Sequence, residues 1–295
     1  MTDSRISPAL PPVVILPTIA LLGAGSLGSA ILSGLVTPRV EVSGGIRVTT
    51  RTSAASDQLP HHPGLTVSST QVDPNANISA VADARIVVVA VKPAMVPDLL
   101  SEIAPALRSD TIVVSVAAGV TLATMEALLP ESVRVIRSMP NTPALVGKAV
   151  TGISAGSRVT SSELRLVRSL FETVGAVVEV PETQIDALST ISGSGPAYVF
   201  ALIEALTLAA EGKGFDQGTA RTLVEQTFLG AALLLASSDE TPAELRRRVT
   251  SPGGTTERAL EVMARADLPG MFEEATDAAL ARASELARAT TDLRP

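Results

Sequence analysis

Three stretches of this chain bring small and hydroxyl-bearing residues to spacings that can do chemistry. The first is Gly23-Ala24-Gly25-Ser26-Leu27-Gly28, set between an apolar run and a segment of helical periodicity. In such a strand, turn and helix, the first glycine makes the tight turn, the second lets backbone approach a pyrophosphate, and the third lets helix and strand pack closely. The phosphate sits at the helix N-terminus, where unpaired N–H groups and the dipole favour an anion. The second stretch is Ser192-Gly193-Ser194-Gly195-Pro196-Ala197-Tyr198, a glycine-rich start to the longest apolar helix. The third is Thr250-Ser251-Pro252-Gly253-Gly254-Thr255-Thr256-Glu257, which puts hydroxyls and free N–H groups at a helix start, a setting suited to carboxylate or phosphate. Each alone also has a bland account: glycine for close packing in the first two, simple capping in the third.

The elements that must position these residues follow from composition and periodicity. A length of 295 residues has room for two domains at roughly 100–200 residues each. Hydrophobic residues make up 46% and aromatics only 2%, so the cores must be built from Ala, Val, Leu and Ile. A net charge of -7 without a block of Lys or Arg argues against nucleic acid and anionic membrane as partners. Arg246, Arg247 and Arg248 read as a solvated helix face. The absence of Cys removes disulfides, thiolate nucleophiles and cysteine-ligated metals. His61 and His62, between Pro60 and Pro63, read as a loop and not a metal site. Val13 to Leu22 has the character of a signal-peptide core, but Asp3 and Arg5 precede it and the glycine turn follows directly. No apolar run approaches the ~20 residues of a membrane span, and a soluble cytoplasmic protein is expected.

Residues 1–14 carry Pro8, Pro11 and Pro12 and are expected to form a mobile tail. After the first strand and helix come a strand over Gly45–Arg51, a Ser- and Pro-rich loop through Gly64, and strands over Ile86–Val91, Thr111–Ala117 and Val133–Arg137. Helical patterns over Val96–Leu107 and Leu122–Leu129 separate them, and continuous Val/Ile runs fit a parallel sheet buried on both faces. A strand at Gly152–Ala155, a helix from Ser161 capped by Thr160 and Glu163, and a strand at Ala176–Val180 complete the domain, with Pro181 as its boundary. Beyond it lie only helices, over about Thr183–Ile191, Ala197–Lys213, Asp216–Ala236, Pro242–Val249, Thr256–Arg265 and Gly270–Ala289, with a capping box at Thr241 and Glu244. The expected fold is α/β: a Rossmann-type doubly wound sheet over 15–181, then an all-helical domain over 182–295.

In an open α/β sheet, ligands bind where the strands end. Here those ends are Lys92-Pro93, Ala117-Ala118-Gly119 and Ser138 to Pro143. The second strand ends in Thr49-Thr50-Arg51-Thr52, with no acidic residue to take ribose hydroxyls and an Arg able to accommodate an extra phosphate, which favours NADP over NAD. A solvent-exposed Arg at a strand end is the alternative.

In order and spacing, the motifs GAGSLG at Gly23–Gly28, AVKP at Ala90–Pro93, VSVAAGV at Val114–Val120, IRSMPNTPALVG at Ile136–Gly147, SGSGPAYVF at Ser192–Phe200 and SPGGTT at Ser251–Thr256 make the chain resemble the pyrroline-5-carboxylate reductase family from residue 18 to about 289. The resemblance implies NAD(P)H-dependent reduction of a cyclic imine to L-proline, and a homodimer of interlocking C-terminal helices, with assembly into a larger homo-oligomer left open. It implies cofactor positions at Gly23, Ala24, Gly25, Ser26, Leu27, Gly28, Arg51, Asn77, Ala90, Val91, Lys92, Pro93, Ala117, Ala118 and Gly119. It implies substrate positions at Ser251, Gly254, Thr255 and Thr256, with the Thr256 hydroxyl as the catalytic group that hydrogen-bonds the ring nitrogen. Ser26 and Leu27 stand where the family often has Asn and Met, and residues 1–14 extend beyond its usual start.

A protonated imine brings its own electrophilic carbon, so such a reaction needs no strong enzyme acid, in keeping with a chain holding two His, one Tyr and no Cys. Lys92 then shapes the nicotinamide pocket and Tyr198 packs in a core. The nearest rival is a 3-hydroxyacid dehydrogenase-like NADP enzyme, whose glycine-rich helix start precedes a catalytic Lys and then an Asn. Aligned on Gly193 and Gly195, those places hold Val199 and Ile203, which leaves alcohol oxidation without its base. A non-catalytic NADP-binding sensor is the other rival, and it has no need of a second anion site at SPGGTT.

Overall fold

A computed structural model describes residues 13–291, and contacts divide the chain into two units: one runs to Gly193 and includes the stretch from Leu280, the other is Ser194–Ala279. The first unit is built on its aliphatic runs. Every residue of strands β2 (Ile19–Leu22), β6 (Ile86–Val89) and β7 (Ile112–Ser115) is buried. Side chains alternate across the sheet. Leu21 and Val88 pack with Leu35 and Phe171 on one face, and Leu22, Val87 and Val89 with Val96, Leu100 and Met125 on the other.

With β4 (Ile46–Thr50), β5 (Leu65–Ser69), β8 (Arg134–Met139), β9 (Ala149–Ala155) and β10 (Gly175–Glu179), these strands form one sheet of order β10-β9-β8-β7-β6-β2-β4-β5. The run from β5 to β8 is parallel throughout, and the strand order reverses direction at β2, whose neighbours are β4 and β6. That reversal is the switch point at which doubly wound sheets bind ligands.

The sheet departs from the expected pattern in three places. Pro17 splits the first apolar run, so β1 (Val14–Leu16) leaves the main sheet and pairs in parallel with β3 (Val40–Val42). Beyond Gly64, where the sequence pattern names no element before Ile86, the chain forms β5 and helix α3 (Ala76–Val81); β5 is an edge strand with only Ser69 buried, so it has no aliphatic run to reveal it. The last two strands are not parallel to the rest, because β9 runs antiparallel to β8. Between them lie only a 3-10 turn at Thr142–Val146 and Gly147 at φ +67°, far short of the dozen or more residues a parallel crossover needs. Val14 lies in β1, and the rest of the expected N-terminal tail, up to residue 12, lies outside the described residues.

Helix α6 (Ser161–Glu172) starts at the expected capping box, with Thr160 and Glu163 bonded reciprocally. Burial opposes ionisation of Glu163, but the Thr160 N–H and hydroxyl and the Arg85 guanidinium hold its carboxyl below the usual range. A second buried ion group carries the chain past Pro181. Arg137 on β8, 3% exposed, pairs with Glu182 and with Asp186 of α7 (Ile185–Leu188), while Glu182 accepts the Leu122 N–H at 2.6 Å at the start of α5 (Leu122–Leu128). These bonds tie residues 182–193 to the first unit, whose contacts run on to Gly193.

The second unit contains α8 (Gly195–Glu211), α9 (Gln217–Ala236), α10 (Pro242–Arg248), α11 (Thr255–Ala264) and the first part of α12 (Leu268–Thr291). Thr241 and Glu244 form the expected capping box of α10. Among its described residues only Ala220 and Val224 are buried hydrophobics, while Phe200 is 61% and Leu208 68% exposed. The helical stretch over 182–211 is long and apolar enough, by length and composition, to cross a membrane. That corrects the expectation that no such run exists: charged residues interrupt the stretch, but few enough that its average hydropathy stays high.

Candidate dinucleotide and substrate sites

A cavity of about 720 Å³ lies where β2, β4, β5 and β6 end, against α4 (Val96–Ile103). The glycine turn forms its floor. Gly23 sits at φ +94°, and a Cβ there would lie 2.8 Å from the Ala90 carbonyl oxygen; a Cβ on Gly28 would lie 2.2 Å from the Gly23 carbonyl oxygen. Gly25 differs: a Cβ would meet nothing within 4 Å. Gly25 is the N-cap of α1 (Ser26–Leu35), a helix with no side-chain cap and no acidic residue in its first turn. Its first-turn N–H groups are therefore left for an anion, and the open side of Gly25 leaves backbone accessible to it, which fits the pyrophosphate of a dinucleotide.

Beside this floor, the backbone around Arg51 is held while its side chain stays exposed. The Thr50 carbonyl accepts from the Thr70 N–H at 2.9 Å, the Thr50 hydroxyl bonds the Thr52 carbonyl at 2.9 Å, and Thr52 caps the short helix α2 (Ser53–Ser56). Among the described residues Arg51 has no ion-pair partner. Lys92, also exposed, opens a 3-10 turn at Pro93–Met95 on the cavity rim.

Gly23, Ala24, Gly25, Arg51, Asn77, Ala90, Val91 and Lys92 line the cavity. Ser26, Leu27 and Gly28 lie behind the turn within α1, and Pro93 is not in the lining. Ala117, Ala118 and Gly119 follow β7, one strand over from β6, outside the cavity wall; Gly119 adopts φ +74° and the Ala117 N–H is held by Ser115 Oγ at 3.2 Å. Sequence reasoning missed Thr70, Asp98 and Glu102, which also line the cavity. The i, i+4 spacing of Asp98 and Glu102 was the available signal, since it puts both on the solvent face of α4.

In the second unit, α11 has Gly254 as its N-cap, with no side-chain cap. Gly253 is at φ +73°, its N–H donates to Glu257 Oε2 at 2.8 Å, and the Gly254 N–H donates to the Ser251 carbonyl at 2.9 Å. Ser251 and Thr255 are exposed and Thr256 half-buried. Thr256 is the second residue of the helix, so its hydroxyl is not the cap. Tyr198 on α8 packs its ring 6.1 Å from that of Phe272.

The reversal of strand order at an open glycine turn defines a dinucleotide-binding protein of the Rossmann type. Residues 18–119 match the family model for NADP oxidoreductase, coenzyme F420-dependent, and residues 182–286 match that for pyrroline-5-carboxylate reductase dimerisation. The chain is 40% identical to the pyrroline-5-carboxylate reductase of Pseudomonas aeruginosa over 92% of its own length and 97% of the relative's. A solved pyrroline-5-carboxylate reductase from Coxiella burnetii superposes with a TM-score of 0.82 at 36% identity, covering 91% of this chain and 97% of that one. A Plasmodium falciparum pyrroline carboxylate reductase solved with NADP bound gives a TM-score of 0.75 at 25% identity, over 92% and 98%. The chain belongs to the pyrroline-5-carboxylate reductase family, oxidoreductases that act on a CH–NH (imine) group with NAD(P)H. It is an NADP-binding enzyme that works on a small molecule and assembles with copies of itself.

The glycines separate packing from binding. Gly25→Ala is expected to leave Tm unchanged and weaken NADPH binding, whereas Gly28→Ala, which drives a Cβ onto backbone, is expected to lower Tm as well. Thermal melts and NADPH titrations on both variants check this; equal Tm losses would contradict it.

Proposed function

We propose that this chain reduces 1-pyrroline-5-carboxylate to L-proline, the final step of proline biosynthesis, with NADPH preferred over NADH, in the cytoplasm and as a dimer through its C-terminal helices. The observation that carries the cofactor choice is the tract Thr49-Thr50-Arg51-Thr52, where an exposed Arg and three hydroxyls stand in the cavity wall without a carboxylate in the tract. The proposed organisation is that of a cofactor domain over 15–181 and a substrate and dimerisation domain over 182–295. The apolar stretch over 182–211 falls within the dimerisation match, which supports a protein partner for it and not lipid.

When bound, the reduced nicotinamide supplies the hydride that the imine carbon takes up, and the ring nitrogen keeps its proton as it becomes an amine. The chain's own task is positioning, which is worth about 7–11 kcal/mol in favourable cases. In this reading the N–H groups and hydroxyls of Ser251, Gly254 and Thr255 hold the substrate carboxylate, and the Thr256 hydroxyl hydrogen-bonds the ring nitrogen. Ala90 to Pro93 and Ala117 to Gly119 shape the nicotinamide end, while Asn77 and Arg51 hold the adenosine end.

Arg51→Ala is expected to raise KM for NADPH at least about tenfold and to change KM for NADH little, since a charge-assisted contact is typically worth ~1.5–3 kcal/mol. NADPH oxidation followed with pyrroline-5-carboxylate reads this, and equal changes with both cofactors would sink it. Thr256→Val keeps size and branching while deleting the hydroxyl. It is expected to lower kcat by ~2–4 kcal/mol of transition-state stabilisation while Tm and NADPH affinity stay near normal, because the N-cap is Gly254. Near-normal turnover would retire Thr256 as a catalytic residue. Light scattering is expected to show no stable monomer, because the second unit leaves Phe200, Leu208, Leu233 and Val249 exposed; a folded, active monomer at micromolar concentration would refute the dimer.

A further inference from the structure

One wall of the cavity has a charge unsuited to phosphate. Asn77 on α3 and Asp98 and Glu102 on α4 stand there together. The Asn77 side-chain nitrogen lies 3.2 Å from Glu102 Oε1 and 3.4 Å from Oε2. An ionised carboxylate only accepts hydrogen bonds, so the amide nitrogen must be the atom that faces it. One of its two N–H donors is thereby committed to Glu102, which leaves the carbonyl oxygen and the second N–H for a ligand. With the carboxylates of Asp98 and Glu102 beside the Asn77 carbonyl, acceptors outnumber donors on this wall, while the cationic and helix-terminal donors stand elsewhere, at the first turn of α1 and on Arg51 and Lys92.

We infer that Glu102 is a positioning and specificity residue: by orienting Asn77 it makes this wall a reader of hydrogen-bond donors on the adenosine half of the cofactor, the exocyclic amine or a ribose hydroxyl. The inference rests on the reading that this cavity takes NADPH. Like charges keep the phosphates away from the wall and toward the glycine turn and Arg51. A base with a carbonyl in place of the amine, as in hypoxanthine, would set an acceptor against acceptors, and such a mismatch leaves desolvated polar groups unpaired.

Glu102 is exposed, so replacing it does not threaten the fold. Glu102→Ala is expected to raise KM for NADPH on the order of tenfold with kcat nearly unchanged, the size associated with losing a charged hydrogen-bond partner. Turnover with reduced nicotinamide mononucleotide, which lacks the adenosine half, is expected to stay at the wild-type level, which a merely structural defect would not allow. The hypoxanthine analogue of NADPH distinguishes the two donors. If the amine is read, the wild type uses the analogue poorly and Glu102→Gln, which adds an N–H donor, narrows the gap. If a ribose hydroxyl is read, the wild type uses both cofactors alike and Glu102→Ala raises KM for both. An unchanged KM for NADPH in Glu102→Ala, or an equal loss with the mononucleotide, overturns the inference. Arg51→Ala serves as the control: if it raises KM for NADPH while Glu102→Ala does not, only this inference falls, and if neither does, the cavity is not the cofactor site.

Discussion

The first unit depends on one backbone contact, the seating of Gly28 against the carbonyl of Gly23. No side chain can stand between them, and Gly23 is pressed in the same way against the carbonyl of Ala90. The close approach brings the start of α1 down onto the gap between β2 and β6, where the strand order reverses. Because β2 and β6 are buried on both faces, the aliphatic layers above and below hold that junction rigidly. The N-terminus of α1 is thus aimed by packing, and its unsatisfied N–H groups need no side chain to position them. The elements around it supply the wall, Thr and Ala above all, with Arg51, Lys92, Asn77, Asp98 and Glu102 set into it.

The second unit obeys a different constraint. Its helices are as rich in Leu and Ala as those of a core, yet Ala220 and Val224 are nearly all it buries among its described residues. Exposed apolar surface on this scale is costly in water, and mass action from a second copy of the chain offsets that cost only when the copies are bound. In the dimer proposed above, folding of this unit and assembly would be parts of one equilibrium. The match of residues 182–286 to a dimerisation family accords with that account.

The sheet is legible in the sequence wherever a strand is buried on both faces, because a run such as Ile86 to Val89 has no other use. It is hidden where that logic fails. β5 is an edge strand whose Thr and Ser break up any aliphatic run, and the antiparallel turn of β9 is braced by the Asn141 side chain, which accepts the Val150 N–H and donates to the Ser192 carbonyl. Capping boxes at Thr160 and Thr241 are local and can be read directly. The ion group of Arg137, Glu182 and Asp186 is not, since Arg137 lies 45 and 49 residues from the two carboxylates and only the fold brings it to them. The same division runs through the candidate site. The glycine turn and Arg51 announce themselves by spacing, whereas Asp98 and Glu102 sit on the solvent face of a helix, where carboxylates are commonplace.

The sparse aromatic content has an optical consequence. The chain has no Trp, and its single Tyr, Tyr198, belongs to the second unit, beside Phe272. Excited beyond the phenylalanine band, ultraviolet emission therefore comes from one phenol, which lies in the helical unit. The emission of reduced nicotinamide, free of any indole that could feed or mask it, would report only on a ligand. Assembly and cofactor capture can thus be followed in one cuvette as two separate colours, without a label.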